Sequence, residues 1–362
     1  MNPKKILITG GCGFIGANLV SYLLRKGFSY IRILDNLSTG TRENLEDALG
    51  ENGEFISEIG NNKITYRFRK KLHERIQNTA LVDLFIGDIR SNEICLNATK
   101  NIDSSIHLAA HAGVIPSIEN PFFDLEVNVQ GTLNLLHASV KSKVGKFIFA
   151  SSNASLGIQD PPVNEERVPR PLSPYGSSKL AGEGYCSAFY VSYGLKTVCL
   201  RFSNVYGPYS LHKNSVVPIF IKDGLLKGEL TIYGNGHQTR DFIHVDDICQ
   251  AIYLILKKPL TSHEIWGIPL NLGTGKETSI LELATLIQDF FDKELKISSA
   301  PERKGEIKRN YSDITKAGKI LGFSPRTSLK DGIESFYKWL INKQANGIQG
   351  TPILQVPGKI TK

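Results

Sequence analysis

Apolar positions alternate between two patterns along the first 200 residues. Lys5-Ile-Leu-Ile-Thr9 is a short continuous apolar run of the kind that fills a strand buried on both faces, and Phe14 to Leu24 then carries apolar residues at helical spacing. Ile31-Arg-Ile-Leu-Asp35, Leu81 to Ile86, Ser105 to Leu108 and Lys146 to Ala150 repeat the strand pattern, with helical stretches between them. Strands separated by helices predict a parallel, doubly wound sheet with helices on both faces. Beyond residue 200 the pattern is mixed: short strands near 229–233 and 268–272, and helices near 246–257, 279–291 and 328–342. The expected organisation is an α/β domain over 1–200, a smaller α/β lobe over 201–345 laid across it, and a loosely held tail over 346–362 rich in Gly, Pro, Gln and Lys. One stretch, about 44–80, is longer than a strand-helix-strand connection requires and reads as a solvated surface insertion.

The first strand-to-helix junction carries the first chemistry. Gly10, Gly13 and Gly16 lie between the Lys5–Thr9 run and the following helix. Such a turn wants one residue without Cβ at the bend, one where backbone approaches phosphate, and one for close helix packing. The free N–H groups at the helix start, with the helix dipole, then face an anion. The second strand ends in Asp35, where a Rossmann unit hydrogen-bonds the adenosine ribose. A carboxylate repels a 2′-phosphate, so Asp35 favours NAD over NADP, with Arg32 and Arg42 the nearby cations that weigh the other way.

Composition narrows the class. The 362 residues exceed one small core, and 41% hydrophobic content is ample to fill two. No apolar run approaches a membrane span, and no signal-type segment precedes the first strand. Cys12, Cys95, Cys186, Cys199 and Cys249 show no metal-ligand spacing, and their odd number inside predicted elements suggests reduced thiols in a cytoplasmic protein. The net charge of +8 suits an anionic partner, but only Arg67-Phe-Arg-Lys-Lys71 is clustered, so a small phosphorylated substrate accounts for it as well as nucleic acid does.

Tyr175 and Lys179 are four apart in a helical stretch and therefore share a face. A free phenol has a pKa of about 10, so about one molecule in a thousand is a phenolate at neutral pH, and bringing the pKa near 7 takes about 4 kcal/mol. A neighbouring ammonium and the positive nicotinamide ring of NAD⁺ together could supply this.

These motifs, with Leu34-Asp-Asn-Leu37, His107-Leu-Ala-Ala110, Asn128-Val-Gln-Gly-Thr132, Ser173-Pro-Tyr-Gly-Ser-Ser-Lys179, Arg201-Phe-Ser-Asn-Val-Tyr-Gly-Pro208 and the run from Gly236 to Asp247, resemble an extended short-chain dehydrogenase/reductase of the NAD-dependent sugar-nucleotide epimerase/dehydratase family over roughly residues 3–342. The resemblance implies a cofactor site of Gly10, Gly13, Phe14, Ile15, Gly16, Asp35, Asn36, Ser38, Gly40, Asp88, Ile89, Leu108, Ala109, Ala110, Asn128, Tyr175, Lys179 and Phe202. It implies catalysis by Ser152, Tyr175 and Lys179, and a UDP-sugar held by Ser152, Asn153, Asn204, Val217, Tyr233, Arg240, Arg303 and Asn310. It also implies a homodimer through helices near 123–142 and 175–193.

All such reactions begin when Tyr175 takes a hydroxyl proton while hydride passes to NAD⁺. Dehydratases of the family carry an Asp-Glu pair just after the Ser/Thr, and decarboxylases a Glu; here Asn153 and Ala154 stand there, and neither is an acid or base. The simplest remaining cycle is 4-epimerisation, resembling UDP-glucose and UDP-N-acetylglucosamine 4-epimerases, and the segment Gly113–Pro121 resembles that subgroup too. Asn310, where a bulky tyrosine excludes N-acetyl groups, leaves room for N-acetyl or uronic sugars besides glucose. Ser203 and Leu156 replace larger residues and are expected to remove bulk near cofactor or sugar. The alternatives are a dehydratase or decarboxylase recruiting another acid, such as Glu119 or Glu165, and a non-catalytic nucleotide- or RNA-binding relative, which the intact Ser-Tyr-Lys set opposes.

Overall fold

The computed structural model describes residues 4–72, 75–302 and 307–345. Strand β1 (Lys5–Thr9) turns directly into α1 (Phe14–Arg25), and the chain returns as β2 (Tyr30–Asp35), parallel to β1 with Ile6 beside Ile31 and Ile8 beside Ile33. Helix α2 (Arg42–Gly50) follows, capped by the Thr41 side chain on the Asn44 N–H. Then come β3 (Phe55–Gly60), β4 (Lys63–Leu72), β5 (Arg75–Ile86), α3 (Asn92–Thr99) and β6 (Ser104–His107). Two short helices, α4 (Val114–Glu119) and α5 (Pro121–Leu125), run through a π-helical turn (Glu126–Gln130) into α6 (Gly131–Lys141). Strand β7 (Lys146–Ser152) ends in a single 3₁₀ turn (Asn153–Ser155). Helix α7 (Pro174–Tyr193) starts at Ser173, whose side chain accepts from the Gly176 N–H, with Pro174 pre-set for the first helical position; it stops at Gly194, whose φ of 72° is left-handed.

Strands β8 (Lys196–Phe202) and β9 (Asn204–Tyr206) lead into a second group of elements: α8 (Val216–Lys227), β10 (Glu229–Tyr233), β11 (Thr239–Arg240), β12 (Phe242–His244) and α9 (Val245–Lys257). The remainder comprises β13 (Pro269–Leu272), β14 (Thr278–Ser279), α10 (Ile280–Gln288), β15 (Lys296–Ala300), α11 (Thr315–Leu321) and α12 (Leu329–Ala345).

The large sheet has nine strands in the order β13-β8-β7-β6-β1-β2-β5-β4-β3. Its first seven are mutually parallel; β1, β2, β5, β6 and β7 are those the alternation predicts, and β8 and β13 join them. The strand order reverses between β1 and β6, and a doubly wound sheet opens a ligand crevice at the carboxyl ends there. One apolar core packs α1, α9 and α11 on one face; another packs α3, α6 and α7 on the other. A third core, built on α8, β10, α10 and α12, belongs to the smaller lobe. Strand β13 and helix α9, both from beyond residue 200, return to the large sheet.

The stretch at 44–80 differs from the surface insertion its length suggests. It completes α2 and supplies β3, β4 and the start of β5, an antiparallel extension of the sheet. Ile64, Tyr66 and Phe68 of β4 are buried against the α1–α2 side, each burial contributing about 1.5–3 kcal/mol. Their spacing of two is the strand signature that the flanking charges obscure.

Candidate active site

At the β1–α1 junction Gly10 has φ of +71°, and a Cβ there would sit 2.8 Å from the backbone nitrogen of Ala109. A Cβ on Gly16 would lie 2.1 Å from the Gly10 carbonyl oxygen, and one on Gly40 would lie 2.5 Å from the Gly13 nitrogen. The turn is therefore closed to side chains from three directions. Gly13 caps α1 without any side-chain bond, so the N–H groups of the first helical turn, at Phe14 and Ile15, face outward for an anion.

Asp35 at the end of β2 points back at this turn. Its Oδ2 accepts from the Cys12 N–H and its Oδ1 from the Leu37 N–H, both at 2.9 Å. Burial pushes its carboxyl up, and the two N–H bonds pull it back. Each carboxylate oxygen retains capacity for a hydroxyl. Neither nearby arginine serves this place: Arg32 donates to the carbonyls of Ala98 and Lys100 at 2.8 and 2.9 Å, and Arg42 pairs with Glu46 at 2.7 Å. Asn36 donates to Asp88 at 3.0 Å and accepts from the Ser38 N–H at 3.1 Å. Burial raises the Asp88 carboxyl, but the Arg90 guanidinium and N–H outweigh it and hold Asp88 below the usual range. Ile89 is buried beside it. Glycine cradle, uncapped helix and the carboxylate at the end of β2 together fit NAD.

Leu108, Ala109 and Ala110 continue from β6 along the crevice, half-buried, with the Leu108 N–H on the Thr9 carbonyl and the Ala109 N–H on Thr9 Oγ1, each at 3.2 Å. Beneath them lies His107, whose role sequence reasoning missed. Thr132 donates to the Asn128 carbonyl at 2.5 Å, so its oxygen accepts from His107 Nε2 at 3.0 Å, and Nδ1 accepts from Thr9 at 2.7 Å. Burial first, then the field of Lys179, lowers His107 to about 3, so it stays neutral and ties β1, β6 and α6 together.

The second half of the site is α7 against the end of β7. Ser152 ends β7, and its Oγ accepts from the Ala154 N–H at 3.2 Å. Asn153 and Ala154 occupy the 3₁₀ turn that follows. Tyr175 lies in the first turn of α7; burial pushes its phenol up to about 12, Ser152 lowers it, and Asp124 raises it. Lys179 is 4% exposed, its Nζ donates to the Ala150 carbonyl at 2.9 Å and lies 5.8 Å from the Tyr175 ring centroid, and burial lowers its pKa to about 8. Asn128, in the π-helical turn, bonds His111 in both directions and Ser178 of α7 at 3.2 Å. Phe202 is buried at the end of β8. The geometry joins a phenol, a hydroxyl and an amine at the carboxyl edge of the parallel strands.

A further pair supports this edge. Glu183, two helical turns after Tyr175, accepts from Ser151 at 2.5 Å, from Ser155 at 3.3 Å, and from Arg201 at 2.9 and 2.7 Å. It thus grips the chain on both sides of Ser152. The signal was present as Tyr175, Lys179 and Glu183 at intervals of four.

In the smaller lobe, Asn204 donates to the Asp241 carbonyl through its N–H at 2.9 Å and its Nδ2 at 3.3 Å. Arg240 donates to the Thr239 and Ile307 carbonyls at 2.7 Å. Tyr233 lines a cleft of about 70 Å³ with Asn214, Val216, Phe220, Gln238 and Ile280. Val217, next to Val216, is instead buried in the lobe core. Asn310 is half-buried, and Arg303 lies outside the described residues. Ser203 and Leu156, the smaller residues at their places, are both engaged with the protein. Leu156 is buried, and the Ser203 hydroxyl is engaged with Ser312 at 2.9 Å and with Asp241, the buried carboxylate that also holds Thr274 and Gly275.

Residues 6–269 match the NAD dependent epimerase/dehydratase family. A putative UDP-glucose 4-epimerase of Methanocaldococcus jannaschii is 35% identical over 343 residues, 93% of this chain and 98% of that one. Among solved structures, a UDP-N-acetylglucosamine 4-epimerase from Methanobrevibacter ruminantium in complex with UDP-N-acetylmuramic acid superposes with a TM-score of 0.80 at 30% identity, covering 95% and 100% of the two chains. The dTDP-glucose 4,6-dehydratase DesIV of Streptomyces venezuelae, solved with NAD bound, gives a TM-score of 0.79 at 28% identity, covering 94% and 98%. Dinucleotide cradle, Ser-Tyr-Lys edge and these likenesses converge: the chain belongs to the NAD-dependent epimerase/dehydratase family.

Proposed function

We propose that the protein is a UDP-sugar 4-epimerase acting on UDP-N-acetylglucosamine, UDP-glucose or the related uronic acids. The observation that carries the proposal is the turn after Ser152, where Asn153 and Ala154 bring no acid or base to the sugar. Bound NAD⁺ supplies the hydride acceptor and the returning donor, held by Gly10, Gly13, Phe14, Ile15, Gly16, Asp35, Lys179 and their neighbours. Tyr175 takes the proton of the 4-hydroxyl and later returns it, while Ser152 bonds the same oxygen and fixes its direction. The Lys179 ammonium stabilises the phenolate. Asn204, Arg240 and Arg303 hold the diphosphate, Tyr233 lies by the base, and Asn310 leaves space beside the sugar. Binding at the nucleotide then orients a sugar that is free to turn over between the two hydride transfers.

The acids a dehydratase or decarboxylase could recruit are poorly placed. Glu119 is exposed at the end of α4, and the Glu165 carboxylate accepts from the Asn271 N–H at 2.8 Å on the edge strand β13. We assign the NAD site mainly to residues 1–200 and the sugar-nucleotide site mainly to 201–345. Exposed Ile118, Phe122 and Leu125 on α4–α5, with Tyr185, Val191 and Tyr193 on α7, suit a homodimer. Among the described residues no helix is long and apolar enough to cross a membrane, and we place the enzyme in the cytoplasm. Incubating the protein with a panel of UDP-sugars and NAD⁺ while following the anomeric protons by NMR tests the reading. The galacto isomer at unchanged mass supports it; loss of water or CO₂ refutes it.

A further inference from the structure

Two lysines outside α7 draw their amines away from water, and they do so differently. Lys146 of β7 donates to the carbonyls of Ile255, Leu256 and Lys258 at 3.1, 2.8 and 2.5 Å, closing the end of α9, so its charge has a full set of acceptors. Lys213, in the segment between β9 and α8, is half-buried. Its Nζ donates to one carbonyl, that of Val205, at 3.3 Å, and stands 5.3 Å from the centroid of the Phe14 ring. Among the described residues it forms no ion pair. Burial, with no carboxylate to offset it, lowers its pKa to about 8. An ammonium withdrawn from water without a counter-charge is costly, and an anion carried by a ligand offsets that cost.

The place of this amine says which anion. Phe14 is the first residue of α1, the helix whose leading N–H groups face outward beside the glycine turn. Val205 directly follows Asn204, the residue proposed for the diphosphate of the sugar nucleotide. The segment carrying Lys213 is fastened down at this junction. The Pro208 carbonyl accepts from Asn18 Nδ2 of α1 at 3.0 Å, the Tyr209 hydroxyl donates to Asp47 of α2 at 2.6 Å, and the Lys213 N–H bonds the Ser210 carbonyl at 2.9 Å. A chain from the smaller lobe is thus tied across the start of α1 and delivers a cation there. The flexible stem of a lysine lets the ammonium swing from a single carbonyl to a stronger, charged acceptor.

We propose that Lys213 is a diphosphate-binding residue, pairing its ammonium with the diphosphate of a nucleotide bound beside Phe14. The contact with Phe14 favours the pyrophosphate of NAD over the diphosphate of the sugar nucleotide. The inference rests on the dinucleotide reading of the β1–α1 turn and, for the second source, on the sugar-nucleotide reading of the smaller lobe.

The test is calorimetric titration of the full chain and two variants, with NAD and adenosine on nucleotide-free protein and with UDP and uridine on the NAD-bound protein. Lys213→Met keeps the stem over Phe14 and removes the charge; it is expected to bind NAD about 10-fold more weakly or worse, with adenosine unchanged. Lys213→Arg, which keeps the charge, is expected to restore most of the affinity. A loss seen with UDP and not with uridine, while NAD binds as before, supports the same role with the sugar nucleotide as the source. A residue that only anchors its own segment leaves the ratio of diphosphate to nucleoside affinity unaltered. An unaltered ratio in both pairs therefore overturns the proposal, whether the affinities stay or fall together. Amine acylation of the wild-type protein, read at Lys213 by peptide mass spectrometry, needs no folded variant. NAD or UDP is expected to protect Lys213 where adenosine and uridine do not, and protection by neither diphosphate overturns the proposal. None of these measurements needs turnover, so failure of every UDP-sugar to epimerise is a separate result.

Discussion

Gly16→Ala exposes how tightly the dinucleotide turn is built. The added Cβ would stand 2.1 Å from the Gly10 carbonyl oxygen and 2.6 Å from Gly11 Cα, against a floor of 3.0 Å for real Cβ contacts, a shortfall of about 0.9 Å at the worst contact. Each obstructing atom is backbone of the turn, so no side chain can step aside, and α1 must retreat as a body. An N–H···O bond of about 2.9 Å to a phosphate then stretches to about 3.8 Å, which is no longer a hydrogen bond. Losing one or two bonds to a charged acceptor, at about 1.5–3 kcal/mol each, weakens NAD binding by about 3 kcal/mol, or roughly 100-fold. The strain itself costs about 1–3 kcal/mol of stability. Calorimetric titration with NAD and a thermal melt measure the two effects separately. Gly50→Ala, with nothing within 4 Å of its Cβ, is the control. A Gly16→Ala protein that binds NAD as tightly as wild type would refute the assignment of the pyrophosphate to this turn.

Other substitutions test the remaining parts. Tyr175→Phe should retain NAD binding and lose about 10³-fold or more in kcat, as expected on removal of a general base; retention of turnover would point to another base. Glu183→Gln leaves the buried Arg201 guanidinium without its counter-charge and should cost about 3–5 kcal/mol in urea unfolding. A loss below about 1 kcal/mol would mean the pair is no anchor. The Cys95 thiol, pushed up to about 12 by burial and then by Asp88, donates to the Ile89 carbonyl at 3.3 Å. Because its folded pKa is raised, its contribution is intact below the ordinary value of 9 and is lost as pH climbs toward 12, so the stability gap between wild type and Cys95→Ala should narrow over that window. A gap that widens would contradict the sign.

Strands β1, β2, β5, β6 and β7 were legible because each is a short apolar run with a helical stretch to follow; β8 was not read, and β13 was read only as a short strand of the smaller lobe. The glycine turn and the Tyr175–Lys179 spacing were legible for the same local reason: the chemistry lies within a few residues of chain. What sequence did not disclose was contact between distant segments. Lys63 to Phe68 alternates as a strand, but its polar members made it read as solvent-facing until Ile64, Tyr66 and Phe68 met α1 and α2. The partners of Ser203, which are Ser312 and Asp241, and the packing of Leu156 were likewise out of reach of local pattern. His107 lies on β6, and only the fold sets it near Lys179; Glu183 shares α7 with Tyr175 and Lys179, but its partners Ser151, Ser155 and Arg201 come from other parts of the chain.

The central claim is that hydride leaves and re-enters the same carbon of a UDP-sugar on opposite faces. Incubation with UDP-N-acetylglucosamine and UDP-glucose carrying deuterium at carbon 4, analysed by NMR and mass spectrometry, tests it most directly. The account expects the galacto isomer to retain deuterium at carbon 4 with no change of mass. Deuterium found at another carbon, or a product lighter by water or CO₂, would contradict it.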